Sequence, residues 1–370
     1  MCPPITDISD VTEGVMKKAA VIGYGGMGQW HVAHMEGLSY CGMKIEKSDV
    51  VSCAGIYDID PKKEELARLY GIHVYTELED LLSDDEVEIV VIAVPNDLHE
   101  DYVVKCLSAG KNVICEKPVA MSLASLDRMI AASKASGKIF SVHQNRRWDD
   151  YFVTIKRLAD EKTLGEVIDV ETRVHGSNGI PGDWRKYKAQ GGGMLYDWGV
   201  HVIDQTLYMN GYDVDRVFCT LESVTGCEVD DGCYIDIFMK SGKRCHVEVN
   251  TYNFISLPLV YARFTEGTAK VDGWDSDVEV VQCHRWHNHD LKPVKTASGL
   301  SKTMAPRDET TVEKFTLAKD KVDVHDYYRN FCDAIDGKAE QAVTHEQMRM
   351  VMKVIEASFK SAETGEVVRL

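Results

Sequence analysis

Short apolar runs alternate with amphipathic stretches from residue 17 to about residue 145, and this alternation constrains the fold more than any other feature. The runs KAAVI, VVSCAGIY, EIVVIAV, NVIC and IFSV are continuous and rich in valine and isoleucine, and segments of helical periodicity separate them. Continuous apolar strands joined by helices are typical of a parallel sheet covered on both faces. Residues 17–145 are therefore predicted to form a doubly wound parallel α/β domain.

From residue 146 onward, apolar and polar residues alternate over short segments such as VIDVETRVHG, GCYIDIFMKSG and RCHVEVNTYN. Alternation with period two indicates a mostly antiparallel sheet. A chain of 370 residues also exceeds the size of one ordinary domain. Residues 146–370 are predicted to form an α+β domain on an open sheet, with two C-terminal helices that could pack back on either domain. An open apolar sheet face would need a cover, so a lone monomer is not expected.

Composition excludes several classes of partner. The net charge of −17 repels nucleic acid and anionic membranes alike. No apolar stretch is long enough to cross a bilayer, and residues 1–16 lack the apolar core of a signal peptide, so a cytoplasmic location is expected. Those 16 residues have no sustained periodicity and are interpreted as an N-terminal extension.

The 11 cysteines form no CxxC pair and are expected to be free thiols.

One tract carries residue types that bind metals. It contains Cys283, His284, His287 and His289 within VQCHRWHNHD. A single short tract of this kind is more often a surface loop or strand than a zinc site. No metal is therefore predicted.

A glycine-rich turn follows the first apolar run. Its residues are Gly23, Tyr24, Gly25, Gly26, Met27 and Gly28. They fit GxGxxG between a strand and a helix, where the first glycine permits the turn, the second lets a pyrophosphate approach the backbone, and the third allows close packing. The sequence thus predicts a dinucleotide site at a helix N-terminus.

Asp58 ends the second apolar run, where the adenosine ribose of a dinucleotide would lie. A carboxylate there would repel the 2′-phosphate of NADP, and no arginine follows it. NAD is therefore expected to be preferred over NADP.

Three further residues suggest proton transfer. Asp197 and His201 are four residues apart, so on a helix they share a face, and the aspartate is expected to orient the imidazole. The second imidazole nitrogen would then take a proton from a substrate hydroxyl. Lys117 follows the apolar run NVIC, at the strand end where open α/β sheets bind ligands, and its ammonium would stabilise a developing alkoxide.

Two motifs resemble a known family. The segments CEKPV at 115–119 and GMLYDWGVH at 193–201 closely resemble the glucose–fructose oxidoreductase, inositol dehydrogenase and MocA family, and the resemblance covers nearly the whole chain. It implies that Lys117, Asp197 and His201 are the catalytic residues. It also implies a homodimer or homotetramer, with residues 146–370 serving substrate binding and oligomerisation.

The resemblance extends to further binding residues. Beyond the glycine turn and Asp58, the cofactor set it implies consists of Pro95, Asn96, His99, Glu116 and Lys117. His99 could equally cap the following helix. The substrate candidates are Arg146, His175, Asn178, Trp184 and Arg185.

The function that follows is an NAD(P)-dependent dehydrogenase acting on a hydroxyl or ketone of a sugar, cyclitol or glycoside. Two alternatives stay open. One is a glycosidase-type enzyme that keeps NAD bound and oxidises a ring hydroxyl transiently. The other is a sugar sensor that binds NAD without turnover, which the complete set of catalytic residue types disfavours.

Overall fold

The computed structural model describes residues 16–283, 293–301, 307 and 309–370. Nearly all of the proposed N-terminal extension lies outside these residues. So do His284, His287 and His289 of the cysteine–histidine tract, whereas Cys283 ends a strand. Among the described residues, no helix is both long and apolar enough to cross a membrane.

The first half of the chain alternates strands and helices. Its elements are β1 (Lys17–Ile22), α1 (Gly26–Glu36), β2 (Ser39–Tyr40), β3 (Met43–Lys44), β4 (Val51–Tyr57), α2 (Pro61–Leu69), α3 (Leu78–Ser83), β5 (Ile89–Ile92), α4 (His99–Ser108), β6 (Asn112–Cys115), α5 (Leu123–Ser136) and β7 (Phe140–Val142). Local chemistry sets the ends of α2: the Asp60 side chain accepts from Lys62 N at 3.0 Å, Pro61 fits the first turn, and Gly71 has a φ of 75°.

Five strands form a parallel sheet in the order β4-β1-β5-β6-β7. A parallel bridge between Ile56 of β4 and Val74 adds a sixth chain segment to the sheet, at the edge next to β4. With it, the sheet has the strand order of a dinucleotide-binding domain, and the order reverses between β1 and β5. Ligands bind at such a reversal, beyond the carboxyl ends of the strands. The predicted doubly wound parallel sheet is confirmed.

The second half contains the remaining elements. They are α6 (Asp150–Asp160), β8 (Val167–His175), α7 (Val200–Asn210), β9 (Val214–Glu222), β10 (Gly232–Met239), β11 (Arg244–Asn250), β12 (Val260–Phe264), β13 (Gly267–Val271), β14 (Val278–Cys283), β15 (Val294–Thr296), β16 (Gly299–Ser301), β17 (Val312–Leu317), α8 (Asp326–Ile335), α9 (His345–Thr364) and β18 (Val368–Arg369). Nine strands pair in the order β17-β14-β13-β12-β8-β11-β10-β9-β18. The pairing of β8 with β11 is parallel and the other described pairs of this sheet are antiparallel, so the predicted mostly antiparallel sheet is confirmed.

The two faces of this sheet differ in chemistry. On β10, Cys233, Ile235 and Ile237 are fully buried, and α6, α7 and α9 pack on that side of the sheet. On the opposite face, charged side chains pair with one another, as Arg173 does with Glu248 at 3.1 Å. The face without helices therefore carries paired charges, and it is not the uncovered apolar face that was expected to require an oligomer. Oligomerisation stays a prediction.

The C-terminal helices join the two halves. Tyr328 and Phe331 of α8 are buried in the same hydrophobic cluster as the parallel sheet. Helix α9 packs against α5 of the first domain and against α7 and β9 of the second. One hydrophobic cluster thus extends from the parallel sheet to β9, β10 and β11, and a second cluster lies between α6 and strands β8, β12, β13 and β14.

A buried ion pair fixes this arrangement. Arg147 follows β7, and its guanidinium donates to Asp204 of α7 at 2.6 and 2.7 Å. The same guanidinium donates to the backbone oxygen of Ala342 at 2.7 Å and to the side chain of Gln347 at 2.8 Å. It therefore connects the end of the parallel sheet, a helix of the second domain and the start of α9.

Replacing Asp204 with alanine is expected to lower the free energy of unfolding by about 3–5 kcal/mol, because Arg147 would keep its charge in the interior without its partner. Urea denaturation followed by circular dichroism measures this change. The matched control is Asp160→Ala, which removes the exposed partner of Lys156 and is expected to cost less than about 1 kcal/mol. Equal losses of unfolding free energy in the two variants would contradict the structural role proposed for the Arg147–Asp204 pair.

Candidate active site

The glycine turn between β1 and α1 combines close packing with open space. Gly23 has a φ of 92°, and a Cβ there would lie 2.5 Å from the Ala93 carbonyl oxygen. A Cβ on Gly28 would lie 1.9 Å from the Gly23 carbonyl oxygen. Gly25 has no heavy atom within 4 Å of its Cβ position and precedes the first residue of α1. The free amide groups of this helix end suit an anion, and Gly25 leaves it room to approach.

Asp58 is held beside the turn by backbone amides. Its Oδ2 accepts from Tyr24 N at 2.6 Å and its Oδ1 accepts from Asp60 N at 2.8 Å. The carboxylate therefore has a fixed position at the end of β4, next to the glycine turn.

A cavity of about 760 Å³ runs from this turn to the loops after β5 and β6. The proposed cofactor residues that line it are Gly23, Gly25, Gly26, Met27, Asp58, Pro95, Asn96, Glu116 and Lys117. Tyr24, Gly28 and His99 do not line it. Tyr24 and Gly28 act through their backbones, as described above.

His99 serves the scaffold of the cavity. It is buried, with Nδ1 2.9 Å from the Pro118 oxygen and Nε2 3.0 Å from the Val94 oxygen. It makes no side-chain cap at the start of α4. The imidazole therefore ties together the two loops on which Asn96 and Lys117 lie.

Lys117 meets Asp197 at the boundary of the two domains. The Nζ of Lys117 lies 2.9 Å from Asp197 Oδ1 and 3.0 Å from the Asp197 backbone oxygen. Arg185 donates from Nε to Asp197 Oδ2 at 3.1 Å. Although burial acts to raise it, the charges of Lys117 and Arg185 hold the pKa of Asp197 below its usual range. Asp197 is thus ionised and bound by two cations.

Asp197 lies in a π-helical turn, Leu195–Gly199, that precedes α7. The buried carboxylate of Asp230 accepts from Leu195 N at 2.7 Å, and the Asp230 backbone oxygen accepts from Met194 N at 3.0 Å. Burial raises the pKa of Asp230 to about 6. Asp230 therefore anchors the start of the turn that presents Asp197.

His201 lies four residues further, in the first turn of α7, and is buried. Its ring contacts Trp198 at a centroid distance of 5.8 Å. Burial, together with the positive charges of Lys117 and Arg146, lowers the pKa of His201 well below its usual value. The imidazole is therefore neutral near pH 7, the form that accepts a proton.

One expectation about this pair is wrong. No hydrogen bond joins Asp197 to His201, and His201 Nδ1 is buried without a partner among the described residues. Both oxygens of the Asp197 carboxylate are bound by the full charges of Lys117 and Arg185, which attract it more strongly than a neutral imidazole does. The spacing of four residues correctly predicted that the two side chains lie on neighbouring turns. It did not predict that the Asp197 carboxylate binds Lys117 and Arg185 instead of His201.

Glu116 lines the cavity, but its carboxylate points into the first domain. Its Oε1 lies 2.8 Å from His31 Nε2 and 2.7 Å from His143 Nδ1. Although burial acts to raise it, these histidines keep the pKa of Glu116 well below its usual range. The expected contact of this side chain with a cofactor is thus replaced by a buried contact with two imidazoles.

The substrate candidates divide into two groups. Trp184 and Arg185 line the cavity beside Asp197. The Arg146 guanidinium lies 4.4 Å from the ring centre of Trp198 and 4.9 Å from that of Trp274. These three candidates border the region of Lys117 and His201.

The other two candidates lie elsewhere. His175 ends β8, where its Nε2 is 3.0 Å from Glu248 Oε1 on the polar sheet face, and its Nδ1 accepts from Leu257 N at 3.2 Å. Asn178 is exposed in the loop that follows. Neither residue lines the cavity, so the structure does not bring them to the Lys117 side.

Several residues near the site were absent from the sequence-based set. Trp198 stands within the 193–201 motif, so its proximity to Asp197 and His201 was available as a signal. Trp274 follows β13 with no local pattern that separates it from a surface tryptophan. His31 follows Gly28 by three residues, on the face of α1 that packs inward, and its partner Glu116 is distant in sequence.

Comparison with known proteins agrees with the dinucleotide-binding fold of the first half of the chain. A family model described as an oxidoreductase family with an NAD-binding Rossmann fold matches residues 17–144, and the GFO/IDH/MocA C-terminal domain model matches residues 152–270. The solved structure of an NAD-binding protein from Listeria innocua is 40% identical, with a TM-score of 0.89 over 96% of this chain and 99% of that one.

Two curated relatives are more distant. The scyllo-inositol 2-dehydrogenase (NADP(+)) IolW of Bacillus subtilis is 25% identical over 95% of this chain and 96% of its own. The uncharacterized oxidoreductase C26H5.09c of Schizosaccharomyces pombe is 27% identical over 81% of this chain and 85% of its own.

The glycine turn yields a paired prediction. Gly28→Ala is expected to destabilise the fold, because its Cβ would overlap the Gly23 oxygen, whereas Gly25→Ala meets no protein atom and should leave the melting temperature within about 2 °C of wild type. Gly25→Ala is nevertheless expected to weaken NAD binding at least about tenfold, because the added methyl group occupies the space left for the pyrophosphate. Thermal melting and NAD titration by fluorescence separate the two effects. Unchanged NAD affinity in Gly25→Ala would contradict the assignment of the turn.

Proposed function

The chain belongs to the GFO/IDH/MocA family of NAD(P)-dependent oxidoreductases, and we propose that it is a dehydrogenase acting on a secondary hydroxyl, or the corresponding ketone, of a sugar, cyclitol or glycoside. The observation that carries this proposal is the pairing of Lys117 with Asp197, both of which line one end of the dinucleotide cavity. The buried His201 does not line this cavity, but it follows Asp197 by four residues and the charge of Lys117 acts on its pKa.

The glycine turn fits the diphosphate of a dinucleotide. A side chain at Gly23 or Gly28 would strike backbone atoms, Gly25 borders open space, and the α1 amides face that space as unpaired donors of a helix N-terminus. When bound, the nicotinamide supplies the hydride acceptor or donor. The residues of this chain have to hold the substrate and move its proton.

His201 is proposed as the base that takes the hydroxyl proton. Its neutral state at pH 7 follows from burial and from the nearby cations, and a base must be unprotonated to accept. Its Nε2 is the candidate atom, because Nδ1 is enclosed by protein. The oxidation is complete when the hydroxyl has lost its proton and the carbon that bears this hydroxyl has lost a hydride.

Lys117 is proposed to stabilise the alkoxide that develops. Its Nζ is fixed by two oxygens of Asp197, so the ammonium needs no reorganisation when charge appears on the substrate. Asp197 is proposed to hold Lys117 and Arg185 in place, instead of orienting His201. Arg185, Trp184 and Arg146 are proposed to contact the substrate from the second domain and from the loop after β7.

Two observations support a polyhydroxylated substrate. Arg146, beside the two neighbouring tryptophan rings, offers hydrogen-bond donors next to apolar faces, a combination that suits a ring with hydroxyls on its edge. A relative over nearly the full length is named as a scyllo-inositol dehydrogenase. A cytoplasmic location and assembly into a homodimer or homotetramer remain predictions.

The decisive experiment is a turnover assay of the purified protein with a panel of inositols, hexoses and glycosides, following the absorbance of NADH. At least one compound is expected to give multiple turnovers.

His201→Ala is expected to reduce kcat by about 10²- to 10⁴-fold with little change in NAD affinity, because the variant lacks only the base. His73→Ala, at an exposed histidine, is the control. Turnover by the His201 variant at the wild-type rate would refute the role, and absence of turnover with the whole panel would refute the function.

A second prediction concerns cofactor choice, and we propose that NAD is preferred. A carboxylate about 4 Å from a 2′-phosphate costs up to roughly 4 kcal/mol at an effective dielectric near 20. Asp58→Ala is therefore expected to shift the ratio of kcat/KM for NAD over NADP at least about tenfold toward NADP, and Lys63, which lines the same cavity, leaves a cation for the phosphate. A wild-type preference for NADP would contradict this assignment.

A further inference from the structure

A short hairpin follows α1, at a place where the fold needs only a connection. Loops between a helix and the next strand of such a sheet usually have about 2–6 residues, whereas residues 37–50 separate α1 from β4 here. Within them, Ser39 pairs with Lys44 and Tyr40 pairs with Met43. The proposed function assigns no role to this β2–β3 hairpin.

The backbone defines the tip of the hairpin. Cys41 and Gly42 are its two central residues, with φ angles of 48° and 79°. Positive φ at both positions of a two-residue loop is typical of a type I′ turn, whose twist matches that of the paired strands. Tyr40 is therefore fixed at the last residue pair before the tip.

Both ends of the hairpin are attached to α1. The backbone amide of Leu38 donates to the Ala33 oxygen at 3.0 Å, and the amide of Ser48 donates to the His34 oxygen at 2.9 Å. The hairpin thus has a defined position relative to the helix whose N-terminus forms the glycine turn.

The side chain of Tyr40 extends from the hairpin to this N-terminus. Its hydroxyl donates to the Gly26 backbone oxygen at 3.1 Å, and a Cβ on Gly26 would lie 3.9 Å from the same hydroxyl oxygen. Tyr40 also lines the dinucleotide cavity, together with Gly25 and Gly26. The phenol therefore lies where the amides of α1 meet the cavity.

The hairpin contributes little to the core. Neither Tyr40 nor Met43 belongs to a hydrophobic cluster of the described residues, and Met43 is 60% exposed. Gly26 is the first residue of α1, so its oxygen is also an acceptor for the helix's own hydrogen bonds and does not need the phenol. A role in folding therefore explains the position of Tyr40 poorly.

The glycine-turn end of the cavity has few cations. The cationic side chains that line the cavity are Lys63, Lys117 and Arg185. Of these, Lys117 and Arg185 are bound to Asp197 at the other end. Asp58 adds a negative charge beside the turn. A diphosphate bound at the turn therefore depends largely on neutral donors, and the Tyr40 hydroxyl is one that a side chain offers.

We propose that Tyr40 is a cofactor-binding residue whose hydroxyl donates a hydrogen bond to the bound diphosphate. This inference rests on the dinucleotide site of the proposed function. The hydroxyl turns its hydrogen from the Gly26 oxygen to a phosphate oxygen, and no covalent bond changes. The exchange is favourable because an ionised acceptor forms a stronger hydrogen bond than a neutral carbonyl does. The diphosphate is then held between the helix amides and the hairpin.

The test is Tyr40→Phe, which keeps the ring and removes only the hydroxyl. The Kd for NAD, measured by fluorescence titration without substrate, is expected to rise at least about tenfold, because a hydrogen bond to a charged acceptor is lost. Stopped-flow displacement should show most of this change in the dissociation rate. Tyr70→Phe is the matched control: this exposed tyrosine follows α2, does not line the cavity, and should be replaceable without effect on NAD binding.

Fragments of the cofactor locate the lost contact. ADP-ribose contains the diphosphate and should lose affinity for Tyr40→Phe by the same factor as NAD. Adenosine has no phosphate and should bind the variant and the wild type equally.

Two results would overturn the proposal. Unchanged NAD affinity in Tyr40→Phe would do so even if Tyr40→Ala bound NAD weakly, because the ring alone would then cover the cofactor. Equal losses for adenosine and ADP-ribose would also do so, because the hydroxyl would then act on the adenosine end. Failure of the wild-type protein to bind NAD would instead reject the dinucleotide site itself, and this role with it, so the two failures are distinguishable.

Discussion

The ion pair between Lys117 and Asp197 is the contact on which the site depends, because it joins a strand end of the parallel sheet to a turn of the second domain. Neither side chain is fully exposed, at 14% and 11%, so both give up water to form it. Partly buried pairs of this kind add little net stability, but they fix position. The hydrogen bond from Asn96 to the Gly191 oxygen crosses the same boundary, and Trp184 and Arg185 of the second domain line the dinucleotide cavity, so this cavity has walls from both domains.

The distribution of the acidic groups separates two tasks. Asp197 neutralises the cations that border the cavity, and Glu116 neutralises nothing on that side because its carboxylate is turned toward His31 and His143. His201 lies near both groups and hydrogen-bonds neither, which leaves its charge state to burial and to the surrounding field. A base that must be neutral before the reaction and must release its proton afterwards is suited to such a setting.

The sequence predicted what local pattern determines. Continuous valine and isoleucine runs indicated the parallel sheet, and the glycine spacing located the turn at which Gly28 meets the Gly23 oxygen. Lys117 and Asp197 were named together through motifs, although nothing in their separation of 80 residues stated that they touch. The predicted hydrogen bond between Asp197 and His201 is absent because helical spacing only brings two residues near each other, whereas competing charges decide which partner the carboxylate binds. The cluster of His31, Glu116 and His143 was out of reach, since three distant segments meet only after the sheet has formed.

The substrate side follows a different logic from the cofactor side. The dinucleotide end is built from backbone, where a glycine turn and helix amides determine how the diphosphate fits. Such features can be recognised in a sequence. The wall near His201 is built from side chains: the Arg146 guanidinium lies beside the neighbouring rings of Trp198 and Trp274, and it also contacts Asp149 at 2.9 Å. Trp274 arrives from a loop of the second sheet, and it is 41% exposed. Trp198 lies in the π-helical turn and Trp274 in the loop after β13, so neither ring belongs to a strand of either sheet. The Lys117–Asp197 pair instead joins the two halves of the chain, so a change of substrate is expected to involve this wall of side chains rather than that pair.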